Sequence, residues 1–271
     1  MIPKSRSSLR GSSRLLIAAC FLALAACSGD DEEEIPETPA EELYYIAFVT
    51  MQDDKLETAA KMFEEVERQH PYSRWATQAQ LMAAYSYYLS DAYDDAIIAL
   101  ERFIELHPGN RSAPYAYYLL SLCYYDQITD VGRDQRNTEL ALQSLAQVVA
   151  RFPNTDYARD ASLKIDLTQD HLAGKEMEIG RYYQMQGHHL AAINRYRRVI
   201  DRFQTTTHVP EALHRLVESY LALGVVEEAQ QTASVLGHNF PGSDWYQDSY
   251  ALLVERDLEP IEPIDESGGL F

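Results

Sequence analysis

Positive charge is scarce in this chain. Lysine and arginine number 23 against 42 aspartates and glutamates, a formal balance of −19 over 271 residues. Nucleic acid is thereby excluded as a partner, because phosphate backbones require a basic footprint. An acidic surface also repels anionic lipid. Long apolar runs are missing too: the main uncharged stretch, Leu15–Ala26, falls short of a membrane-spanning helix. Cysteine is limited to Cys20, Cys27 and Cys123, too few for a disulfide framework. There is no HExxH, no glycine-rich phosphate loop, no GxSxG and no CxxC. His188 and His189 are adjacent, so on a helix they point about 100° apart and cannot jointly ligate a metal. His70 and His107 precede prolines at helix ends, where interaction with terminal carbonyls is the expected role. Pairs such as Glu64-Glu65 read as solvated faces. The expectation is a protein without catalytic residues, metal or cofactor.

What is present begins with an export signal, in which Lys4, Arg6, Arg10 and Arg14 lead into Leu15–Ala26. It ends Leu24-Ala25-Ala26-Cys27, which resembles the lipobox of bacterial lipoproteins. That resemblance implies a covalent lipid on Cys27, which becomes the first mature residue. A standard signal with an accidental cysteine is the alternative. In lipoprotein families Asp in the next position marks inner-membrane retention, so Ser28 implies the outer membrane. Removing residues 1–26 takes four basic and no acidic residues, leaving 19 − 42 = −23. Residues 27–42 contain SGDDEEEIPETPAEE, acidic and nearly free of large apolar side chains, and are expected to be a flexible tether. Residues 256–271 are expected to be a disordered tail for the same reason.

Between them one spacing recurs. Ala96, Leu100, Phe103 and Pro108 describe an amphipathic helix with a defined exit. The frame returns as Ala59, Phe63, Val66, Pro71; as Ala141, Leu145, Val148, Pro153; as Ala192, Tyr196, Val199, Gln204; and as Ala229, Ala233, Leu236, Pro241. Each is the second helix of a hairpin, and in four of them the residue twelve positions earlier holds a place that is normally small in a helical hairpin: Ala47, Ala84, Gly180 and Val217. The pattern resembles the tetratricopeptide repeat of about 34 residues. The predicted fold is all-α, an α-α superhelix of about five such hairpins. Residues 43–156 hold three; residues 157–255 hold a long linking helix, two more repeats and a capping helix. In the third, Ser121 and Ala141 are twenty apart instead of twelve, so eight residues are inserted near ITDVGRDQRN. Cys123 falls on an apolar helix pattern and is expected to be a small core residue.

Two features suggest binding. Groove-facing first-helix positions carry Tyr44, Phe48 and Met51, then Leu81, Tyr85 and Tyr88, then Tyr118, Leu122 and Tyr125, with Tyr115 alongside. Such a wall suits an extended peptide with aromatic side chains, although tyrosines packing repeat on repeat would give the same pattern. Arg195, Arg198 and Arg202, with Arg197, make one helix basic within an acidic protein. A solvated face is the plain meaning; a partner's acidic patch is the functional one.

HPYSRWATQAQLMAAYSYY (70–88), DAIIALERFIELHPGN (95–110), GRDQRNTELALQSLAQVVARFPNTDYARDA (132–161) and IGRYYQMQGHHLAAINRYRRVI (179–200) resemble the BamD family of outer-membrane assembly lipoproteins, over about Leu43 to Leu253. The resemblance implies a non-catalytic component of the β-barrel assembly machinery. It would hold the POTRA domains of BamA through its carboxy-terminal repeats and receive the carboxy-terminal signal of unfolded barrel proteins in its amino-terminal groove. Accessory Bam lipoproteins are further implied partners. The family's BamA-contacting arginine lies in an Asn-Arg step, here Asn194-Arg195. Another envelope adaptor lipoprotein, serving cell division or peptidoglycan, is the alternative.

Overall fold

A helix with an apolar residue every third or fourth position buries one stripe and solvates the rest, and the repeated frame follows this closely. In the computed structural model, which describes residues 38–259, all five Ala–Leu/Phe/Tyr/Ala–Val/Phe/Leu triplets are at most 1% exposed. The signal, Cys27, most of the expected tether and most of the expected tail lie outside the described residues.

The hairpins are α1 (Ala40–Gln52) with α2 (Leu56–Gln69), α3 (Arg74–Leu89) with α4 (Tyr93–Leu106), and α5 (Ala113–Tyr125) with α6 (Arg136–Arg151). Then α7 (Asp156–Met185) pairs through its second half with α8 (His189–Arg202), α9 (Val209–Leu223) pairs with α10 (Val226–Asn239), and α11 (Asp244–Val254) closes the series. No strand occurs among the described residues. Helices pack on neighbours one or two places along the chain, and the core is a row of small clusters. Both properties belong to a superhelical repeat array, which buries a core only by stacking.

The same backbone exit ends every second helix. His70, His107, Phe152, Phe203 and Phe240 adopt φ near −130° and donate their N–H to the carbonyl four residues back. Each carbonyl then accepts from the N–H three residues on, at 3.0 to 3.1 Å. Proline follows four of them, consistent with its bias against a helical predecessor. Gln204 follows Phe203, yet the turn is unchanged, so stacking and not proline enforces it. The turn inside four hairpins uses a left-handed residue: Asp54, Asp91, Gly187 and Gly224.

Several boundaries differ from expectation. The first helix begins at Ala40, not Leu43: Glu41 and Glu42 favour its positive amino end, and Ala40 packs beside Leu43 and Tyr44. At the other end, Leu258 packs on the Val217–Ala229 cluster and Gln230 donates to the Glu259 carbonyl, so the tail is held as far as Glu259. The linking segment is one 30-residue helix. Gly174 does not interrupt it; its missing side chain admits His208, whose Nε2 would lie 3.2 Å from a Cβ. His107 bonds Gln80 Oε1 through its ring at 2.8 Å, a side-chain partner in place of the expected terminal carbonyl.

Among the described glycines, Gly180 lies closest to a neighbouring side chain. A Cβ there would collide with the ring of Tyr196, itself fully buried. Gly180→Ala should therefore lower stability by about 1–3 kcal/mol despite alanine's better helix propensity. Gly109→Ala meets nothing within 4 Å and should be nearly neutral. Urea unfolding followed by circular dichroism compares them; equal midpoints would contradict the packing account.

Candidate functional site

Aromatic first-helix residues meet where successive first helices run side by side. Tyr85 on α3 stands 6.5 Å from Tyr115 on α5, ring centroid to centroid, and Tyr115 stands 5.7 Å from Tyr157 on α7. Tyr118 lies 5.3 Å from the same Tyr157, so four rings from three helices form one string. All four are half-buried. Beside Tyr115 and Tyr157 opens a hollow of about 460 Å³, edged by Arg111, Ser112 and Thr155.

Carboxylates rim this wall. The Tyr88 hydroxyl donates to Asp126 at 2.6 Å and that of Tyr118 to Asp160 at 2.5 Å. Burial, and then these carboxylates, push both phenols far above their ordinary range. Burial does the same to Tyr115. The phenols thus remain neutral hydrogen-bond donors. Tyr125 receives the Lys164 ammonium over its ring at 4.9 Å. Tyr88 also faces Tyr93 of α4, at 6.0 Å.

Tyr44 and Phe48 stand apart from this string. Tyr44 lies 5.3 Å from Phe63 and 4.9 Å from Trp75, and both it and Phe48 pack in the cluster formed by the first hairpin and α3. Their half-buried rings join the core between the first hairpin and α3. Tyr157, conversely, had no place in the sequence-based wall. Counting about 34 residues plus the eight-residue insertion from Tyr115 arrives at Tyr157, so the repeat arithmetic contained it. Cys123 is fully buried, and burial pushes its thiol up to about 12, the state of an inert core residue.

The basic helix α8 is partly neutralised from within. Arg195 and Arg198 both reach Glu176 of α7, at 3.1 and 3.3 Å. Arg197 and Arg202 are exposed and make no ion pair among the described residues; the Arg202 guanidinium lies 5.9 Å from the Phe203 ring. Asn194 is exposed at the same face. Beneath, the Tyr196 hydroxyl donates to Gln184 at 2.7 Å, and Gln184 donates to Glu218 at 2.9 Å. Arg215 donates to Glu218 at 2.8 Å. Burial opposes the charge on Glu218, but hydrogen bonds from His214, Arg215 and Gln184 win and hold its carboxyl down to about 2.

Five hairpins on one superhelical axis, with an aromatic wall on first helices, define an α-α superhelix of tetratricopeptide type. A family model described as an outer membrane lipoprotein, YfiO, matches residues 36–236. The chain is 49% identical over 261 residues to the outer membrane protein assembly factor BamD of Caulobacter vibrioides, covering 94% of this chain and 86% of that one. It is 47% identical to BamD of Rickettsia prowazekii, covering 86% and 92%, and 36% identical to BamD of Neisseria meningitidis serogroup A, covering 84% and 91%. A thermophilic TPR protein of Thermus thermophilus aligns with 80% of this chain and all of its own at 18% identity, with a TM-score of 0.37. The chain belongs to the BamD family.

Because the folded-state pKa of Glu218 is depressed, its stabilisation is complete above the ordinary carboxylate value of 4.5 and is lost as pH falls through about 2. Glu218→Gln should cost about 1–3 kcal/mol at pH 7, and the gap from the parent should close as pH falls below 4.5. Urea titrations at pH 7 and pH 3 measure it; a gap of constant size would disprove the assignment.

Proposed function

We propose that this protein is a non-catalytic scaffold of outer membrane protein assembly, the role for which its relatives are named. Lipid on Cys27 anchors it to the periplasmic face of the outer membrane. The string Tyr85–Tyr115–Tyr157–Tyr118 carries the substrate half of this reading. A continuous aromatic floor with hydroxyl groups along it suits an extended chain rich in aromatic side chains, such as the last strand of an unfolded β-barrel protein. The strand's terminal ring would enter the hollow beside Tyr115 and Tyr157, where Arg111 supplies a cation for the carboxylate. Tyr88 and Tyr125 extend the floor toward Asp126 and Lys164.

The machine-holding half rests on α8. Asn194, Arg195, Arg198 and Arg202 would meet an acidic patch on the POTRA domains of BamA, and accessory Bam lipoproteins would join elsewhere on the array. Arginine suits this task because its planar fork binds carboxylates in two places at once. A formal charge of −19 leaves a basic helix as an unusual, and therefore selective, feature of the surface.

Two experiments separate the halves. Arg195→Glu should abolish co-purification with BamA while helical content by circular dichroism stays the same; retained co-purification would sink that assignment. Photocrosslinkers at Tyr85 and Tyr118 should trap a barrel protein's terminal peptide. Capture only from positions on the second helices would refute the groove.

A further inference from the structure

The longest helix carries an apolar stripe that the fold does not use. Its packing faces are Ala158, Ala161 and Thr168 toward the third hairpin, and Ala173, Met177 and Gly180 toward α8, all buried. A different face presents Leu163, Leu167, Tyr182 and Met185, which are 66, 61, 57 and 76% exposed. With His171 and Glu178 between them, they follow steps of three, four or seven residues, which keep to one side of an α-helix. At about 1.5 Å per residue, the stripe is about 33 Å long, and its two apolar pairs are centred about 28 Å apart.

Midway the surface dips into a hollow of about 400 Å³, walled by the third-repeat insertion and by His208. The insertion is pinned there by Lys175, whose ammonium donates to the Gly132 carbonyl at 3.0 Å. Carboxylates of Asp130 and Glu178 flank Gly132, lying 3.1 and 3.8 Å from where its Cβ would be. The nearby cations are already engaged: Lys175 as described and also with one oxygen of Glu178 at 3.4 Å, and Arg181 by both oxygens of Glu211 at 3.0 Å. That leaves Asp130 and the other oxygen of Glu178 without a cation among the described residues. Within the hollow, Nε2 of His171 is buried without a hydrogen-bond partner among the described residues. The centre of the stripe is therefore acidic and holds a polar atom that lacks a partner, while both ends are apolar.

We infer that this face of α7 docks a helical segment of a partner protein that carries a lysine or arginine midway between two apolar clusters. A helix is the fitting occupant because its rise equals that of α7, which keeps three contacts in register over 33 Å. Charge complementarity selects the central residue: Asp130, together with the oxygen of Glu178 that Lys175 does not hold, attracts a cation and rejects an anion. The eight inserted residues thereby acquire a task, forming the wall that makes the centre of the stripe acidic. The surface is separate from Arg195; its amino-terminal end adjoins the aromatic wall, where Asp160 accepts from Tyr118 and Lys164 lies over Tyr125, but its acidic centre and its Tyr182–Met185 end lie beyond that wall.

The test uses full-length lipidated protein in nanodiscs, with empty nanodiscs as the control. The probes are three 23-residue helix-forming peptides, with leucine pairs at both ends and lysine, serine or glutamate in the middle. Fluorescence anisotropy should show the lysine peptide binding at least about tenfold more tightly than the glutamate peptide. Leu167→Asp, a change at an exposed position that spares the fold, should remove binding, and Glu178→Lys should reverse the preference. Equal affinity for the lysine and glutamate peptides, or binding that survives Leu167→Asp, would overturn the inference.

Discussion

How near the two helices of each hairpin can approach governs the rest of this molecule. The facing positions trade bulk one against the other. Ala47 faces the cluster of Phe63, Ala84 that of Leu100, and Gly180 lies under Tyr196. In the last hairpin the bulk changes sides: Val217 packs with Ala233. Such trading of bulk is how paired helices stay close-packed when one facing residue grows or shrinks. The same exit follows all five second helices, whether or not proline is present. The first helices are therefore presented side by side at regular spacing, and their tyrosines can form one string.

That dependence also explains what could be read from the chain before its structure. Periodicity reports burial on a helix directly, so the frame triplets were legible down to the residue, including Tyr196 in a position that looks polar. The insertion in the third repeat was legible as a break in arithmetic. What it touches was not, because the contact between Lys175 and Gly132 spans 43 residues and leaves no periodic trace. Glu176 was hidden for a similar reason: on the sequence it is one of many glutamates, and only the pairing of α7 with α8 sets it beneath two arginines. The neighbours of Tyr44 were hidden in the same way, since Phe63 and Trp75 reach its ring from two other helices.

Glu176 also changes how the basic helix can work. One carboxylate, only 18% exposed, neutralises half the charge of the Arg195–Arg198 pair. A partner that stripped both guanidiniums from it would leave a largely buried anion unpaired, and such a group costs several kcal/mol. Binding that keeps the bridge avoids that cost. Arg198 is 52% exposed and Arg195 28%, so a partner's carboxylate can add to the outer edges of both forks while their inner edges remain on Glu176. Each guanidinium has five donors, enough for two carboxylates at once. The bridge would also hold the two arginines at a fixed separation before any partner arrives, so that less side-chain freedom is lost on contact. An internal counterion on an otherwise acidic protein is thus better understood as a support that orients the arginines than as a competitor that silences them.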